Sequence, residues 1–180
     1  MGSAGDFSAN TVAAAGAFTL DGAVATTGSV VLSDVTAGGN LTISMGAGTG
    51  SITAGNINTL GNITIDATTF GGSMDVTTAT ASGAITVSVG TSGDYSAKDT
   101  VAAGNVTFDA AAATTGAITL TGMSAGNNVT ISMGTGTGEL TLASAMVLGG
   151  VTIDASTFGG ALDIGTITAS GAAVISTGTA

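Results

Sequence analysis

A chain of 180 residues, 44% of them hydrophobic, is long enough for one or two domains with a core, yet its apolar content is Ala, Val, Ile and Leu, with 31 glycines and no Pro, Cys, Trp or His. Lys98 is the only basic residue against ten Asp and one Glu, a net charge of −10; this excludes nucleic acid and anionic lipid, which demand clustered Lys or Arg, and favours cations as ligands. Without His or Cys there is no Ser-His-Asp or Cys-His chemistry, no disulfide and no ordinary zinc site, and no run of about 20 apolar residues is present to form a membrane-spanning helix.

The opening "MGSAGD" lacks the basic and apolar regions of a signal peptide, and residues 1–4 read as a start plus a short scar. From Gly5 onward the chain says everything twice. Residues 5–92 ("GDFSANTVAAAG…") align without insertion or deletion on residues 93–180 ("GDYSAKDTVAAG…"), and "ITIDATTFGG" (63–72) returns as "VTIDASTFGG" (151–160). Two units of 88 residues, unit 1 (5–92) and unit 2 (93–180), therefore make up one continuous array, the signature of a solenoid.

Within each unit an apolar residue followed by a short alternating run recurs about every 11 positions. In unit 1 these runs begin at Phe18, Val30, Leu41, Ile52, Ile63, Met74 and Ile85; in unit 2 at Tyr95, Val106, Ile118, Val129, Leu140, Val151 and Leu162. Alternation with β-branched residues between Gly and Asn predicts short strands buried on one face, and the glycines leave no helical stripe. Two kinds of strand alternate, one opening like "GNLTI" (39–43) or "GNVTF" (104–108), the other like "TGSIT" (49–53) or "TGAIT" (115–119), so like recurs every 22 residues or so. The predicted fold is all-β: a parallel β-solenoid (β-helix) of eight two-sided coils of about 22 residues, about 38 Å long at ~4.8 Å per layer.

Stacking the coils produces columns. An outward Thr ladder reads Thr19, Thr42, Thr64, Thr86, Thr107, Thr130, Thr152, and two residues on Asp21, Asp66, Asp109 and Asp154 alternate with Ser44, Ser88, Ser132 and Ser176. Alternation keeps carboxylates ~9.6 Å apart, about a Debye length at physiological salt, rather than ~4.8 Å. Leu41, Ile43, Met45, Ile63, Ile65, Val106, Phe108, Val151 and Ile153 point inward, with Ala and Gly filling the narrow interior and corners, where Gly is expected to supply positive φ.

The aspartates occupy regular strand positions instead of converging in a cleft, so no catalytic residue, cofactor-binding residue or metal ligand is assigned and the chain is read as no enzyme. "GAGTG" (46–50) and "GTGTG" (134–138) precede neither a Lys nor a helix, and are corners rather than phosphate loops. Oxygen-only Ca2+ coordination is the one cofactor chemistry left open, although the Asp spacing fits neither an EF-hand nor the GGxGxD repeat. A transmembrane β-barrel needs longer strands and aromatic girdles that one Tyr and five Phe do not supply.

"VTIDASTFGGALDI" (151–164) and "NLTISMGAGTGSIT" (40–53) resemble the repetitive Gly/Ala/Thr-rich segments of large bacterial surface proteins: S-layer proteins, segments beside calcium-binding RTX repeats and filamentous haemagglutinin-like adhesins. That resemblance implies an extracellular, cell-surface location and a structural or adhesive role; the RTX nonapeptide itself is missing, so calcium dependence does not carry over. The expected function is a structural repeat module of a filament, surface layer or fibrous adhesin, its only partner itself, stacked head to tail. The alternative is a binding module, an adhesin stalk or ice-binding face using the Thr ladder, in which case substitution of Thr64 and Thr152 would abolish binding and spare assembly.

Overall fold

The computed structural model describes residues 5–22, 27–90, 93–111 and 115–178; the segment 1–4 read as a scar lies outside them. It is an all-β parallel solenoid of two eight-stranded sheets. Odd-numbered strands form one sheet: β1 (Phe7–Ala14), β3 (Val30–Ala37), β5 (Ser51–Thr59), β7 (Ser73–Ala81), β9 (Tyr95–Ala102), β11 (Ile118–Ala125), β13 (Glu139–Val147) and β15 (Ala161–Ala169). Even-numbered strands form the other: β2 (Phe18–Gly22), β4 (Leu41–Met45), β6 (Ile63–Ala67), β8 (Ile85–Val89), β10 (Val106–Ala110), β12 (Val129–Met133), β14 (Val151–Ala155) and β16 (Ala173–Thr177). Each strand pairs in parallel with the strand one coil away, so the chain alternates between sheets and climbs one layer per coil.

The strands begin at or next to the apolar positions read from the sequence; β1 and β16, at the two ends, carry no such marker. Phe7 lies opposite Val30, Val30 opposite Ile52, Ile52 opposite Met74 and Met74 opposite Tyr95, so successive offsets are 23, 22, 22 and 21 residues before the pattern restarts with Tyr95 opposite Ile118. Coils of unequal length explain why near-identity returns after 88 residues and not after 22. A side chain must keep its face in the layer above, and one slipped residue would turn a strand's apolar set outward.

Between the sheets lies an apolar core mainly of Ile, Leu, Val, Met and Ala, with every inward residue named above buried. In the long strands the alternation skips once. Val30 and Leu32 point in, Ser33 and Asp34 both point away from the core, and Val35 and Ala37 point in again. The same step follows Ala54 in β5 and Leu142 in β13, so it is a kink shared by the layers and not a bulge in one strand.

Corners are held by side chains reaching between layers. Asn40 Oδ1 accepts the N–H of Asn62 at 3.0 Å, and Asn62 Oδ1 in turn accepts that of Ala84 at 2.8 Å. Unit 2 repeats the device, with Asn105 Oδ1 accepting from Asn128 at 3.0 Å and Asn128 Oδ1 from Gly150 at 2.9 Å. These bonds satisfy backbone donors where the chain leaves the sheet, which is the physical reason for the Gly-Asn openings. The glycines act differently from expectation. No described glycine has positive φ; at one corner Gly5, Gly28, Gly50, Gly72, Gly93, Gly116, Gly138 and Gly160 stack so closely that a Cβ on each after the first would strike the carbonyl oxygen of the glycine one layer before.

Candidate functional surfaces

The short-strand sheet carries the outward columns. Register places Thr19 opposite Thr42, then Thr64, Thr86, Thr107, Thr130 and Thr152 in succession, and the ladder stops where Val174 faces Thr152. Thr19, Thr64 and Thr152 are exposed and the others half-buried. Two residues along, Asp21, Ser44, Asp66, Ser88, Asp109, Ser132, Asp154 and Ser176 line up in that order. Together they form a flat lattice of hydroxyls and spaced carboxylates, with layers ~4.8 Å apart.

The carboxylates in this column have local work. Asp66 Oδ1 accepts the Thr68 N–H at 3.2 Å and the Thr68 hydroxyl at 2.9 Å; Asp109 Oδ1 accepts the Ala111 N–H at 2.9 Å, and Asp154 Oδ1 the Ser156 N–H at 3.1 Å. Each is an Asx-type turn that starts the corner after its strand. The Ser156 hydroxyl and N–H hold the Asp154 carboxyl below its ordinary value, against a smaller opposing effect of burial. A lowered folded-state value means this contribution is present above the ordinary carboxylate range and is lost as the pH falls through the lowered value. On the other sheet Asp6 and Asp94, one unit apart, each reach the next layer, accepting the N–H of Ser29 at 2.8 Å and of Ala117 at 2.9 Å. Among the described residues no three acidic side chains gather closely enough to hold a metal ion, so no Ca2+ ligand set is assigned.

Tyr95, the only tyrosine, is buried at the first layer of unit 2 with its ring 5.0 Å from that of Phe108. Burial, and secondarily the Asp75 carboxylate, push its phenol far above the ordinary value. Because the raised value belongs to the folded state, stability is intact below about pH 10, the free phenol's range, and falls as the pH rises beyond it. In an alkaline titration the near-ultraviolet phenolate absorbance should therefore rise together with loss of the β-sheet circular dichroism. Ionisation near pH 10 with the fold intact would show the ring to be solvated.

A surface not foreseen from the sequence lies on the outer side of β9, β11 and β13. Gly122 and Ser124 are flanked by Asp99 and Val101 in the layer before and by Ser144 and Met146 in the layer after. The resulting trough holds about 250 Å3 and continues past Gly126 beneath Leu148. Three large apolar side chains stand exposed along it: Val101 at 42%, Met146 at 67% and Leu148 at 73%.

The chain has no match among family models, curated proteins or solved structures, so its function must be argued from these residues.

Proposed function

We propose that this protein is a structural repeat module of an extracellular bacterial filament, surface layer or fibrous adhesin, joined to further copies by head-to-tail stacking of its coils. The observation that carries this reading is the boundary between the two units. There β7 and β8 of unit 1 receive β9 and β10 of unit 2, with Met74 opposite Tyr95 and Ile85 opposite Val106. Met74 N–H donates to Asp94 O at 2.8 Å and Ile85 N–H to Asn105 O at 2.9 Å.

Both outer edges copy that boundary. β15 and β16 are the unit 2 counterparts of β7 and β8, and β1 and β2 the unit 1 counterparts of β9 and β10. Translating the boundary by one unit sets Leu162 of one copy against Phe7 of the next, Leu162 N–H onto Asp6 O and Ala173 N–H onto Ala17 O. The Asp/Ser alternation also carries through, since Ser176 would meet Asp21 as Ser88 meets Asp109. Val174 and Ile175, at 49% and 45% exposure, would be covered by the added layer. Unpaired strand edges of this kind invite a further strand unless blocked. The bacterial, cell-surface setting is supported by the Gly/Ala/Thr-rich resemblance of residues 40–53 and 151–164.

Cysteine cross-linking tests the register. The native chain has no Cys, and Ser8 and Asp163 are the counterparts of the paired Ser96 and Asp75. With Ser8→Cys and Asp163→Cys in one chain, a short bis-maleimide should give a ladder of covalent multimers. Within one copy these positions stand at opposite ends, so recovery of monomer alone at high concentration would refute head-to-tail stacking. The register of the seven threonines supports a second reading, a surface-binding face; there Thr64→Lys with Thr152→Lys would abolish adsorption and leave the cross-linked ladder intact.

A further inference from the structure

We propose that the outer face of β11 and β13 is a lateral, two-fold contact between two copies of this chain, in which the Met146 and Leu148 ridge of each fills the Gly122–Gly126 trough of the other. Ridge and trough are one layer apart on the same face, because Ser124 lies opposite Met146 in register. A two-fold axis lying in that face, parallel to the strands and passing between these layers, exchanges them: Met146 of one copy comes over Ser124 of its partner and Leu148 over Gly126, and the reverse. Such self-complementarity is what an isologous dimer requires.

Unit 1 keeps Leu60, 72% exposed, and Gly38 in the places of Leu148 and Gly126, but the rest of the face belongs to unit 2. At the equivalent places unit 1 carries Asp34, Thr36 and Asn58 in place of Gly122, Ser124 and Met146, and Asp34 is engaged by the Asn56 amide at 2.8 Å. Local charge also fits a second copy. In a chain of net charge −10, the one carboxylate bordering the trough is Asp99, and the operation sets it against the partner's last layer, where Thr166, Thr168 and Ser170 are uncharged. A basic partner would find little to pair with here.

Four overlapping layers cover about 300 Å2 per copy, well below the ~800 Å2 a side of a stable complex, taking ~4.8 Å per layer and ~3.3 Å per residue. The contact is therefore weak between single copies and gains strength when repeated along a head-to-tail stack, a gain that rests on the stacking reading above.

The test separates the two contacts. Phe7 N–H is given to Ser29 O, so the Ser8 N–H faces the open edge, and Ser8→Pro blocks stacking without touching the lateral face. Sedimentation equilibrium of the full chain carrying Ser8→Pro should show a monomer–dimer equilibrium that strengthens as salt is raised, since added salt screens two polyanions. Met146→Asp with Leu148→Asp should abolish the dimer. Gly122→Val, whose Cβ would meet only the flexible Asp99 carboxylate at 3.0 Å and Lys98 O at 3.3 Å, should weaken it at least tenfold with the circular dichroism unchanged. A monomer at all concentrations, a dimer indifferent to these substitutions, or one that weakens with salt would overturn the proposal. Failure of the cross-linked ladder with the dimer intact would strike the stacking reading alone.

Discussion

Replacing Gly138 by alanine should destabilise the solenoid by at least the upper end of the ~1–3 kcal/mol typical of overpacking, and valine should prevent folding at ordinary temperature. The added Cβ would overlap the carbonyl oxygen of Gly116, a backbone atom two residues before β11, a strand paired on both sides with the neighbouring layers. It cannot swing aside as a side chain would, so relief requires prising two layers apart. Gly16 is the control. It also sits at a corner without positive φ, but a Cβ there meets nothing within 4 Å, so Gly16→Ala should be neutral or stabilising by up to ~1 kcal/mol through the unfolded chain. Urea unfolding of the two variants checks the contrast, and equal effects would refute close approach as the reason for the glycine column.

Truncating Phe108 to alanine should cost about 3–5 kcal/mol, a large part of the 5–15 kcal/mol by which a domain is stable. Phe108 is 2% exposed, and its ring lies against the equally buried Tyr95, so both contribute to the first layer of unit 2. A solenoid is held by nearest-neighbour interfaces, and the consequence is local. Hydrogen exchange should accelerate first in β7 to β10, around the unit boundary, while β12 to β14 keep their protection. Uniform loss of protection along the chain would indicate a single all-or-none unit.

The Thr ladder, the Asp/Ser alternation and the inward residues from Leu41 to Ile153 were legible in the sequence. All follow from two constraints that act along the chain: side chains alternate in a strand, and an in-register stack repeats its outward residues at the coil length. The unequal offsets were not read, only a coil of about 22 residues, although the apolar positions mark each strand's start.

What the sequence left open lies where those constraints lapse. The kink after Leu32, Ala54 and Leu142 makes Val35, Ile57 and Ala145 core residues although they break strict alternation. Asp66, Asp109 and Asp154 read as a solvated column, yet they cap the next corner, a bond that depends on how the chain turns after its strand. The Gly122–Gly126 trough is recognisable only once Val101 and Met146 are known to lie on either side of Ser124, one coil before and one coil after in the chain. By itself the sequence determined the solenoid, its register and the identity of its columns, because periodicity is a property of the chain. The tertiary structure alone decided why the corner residues are Gly, Asn and Asp and which face carries a trough, because those depend on the distance between backbones in successive layers.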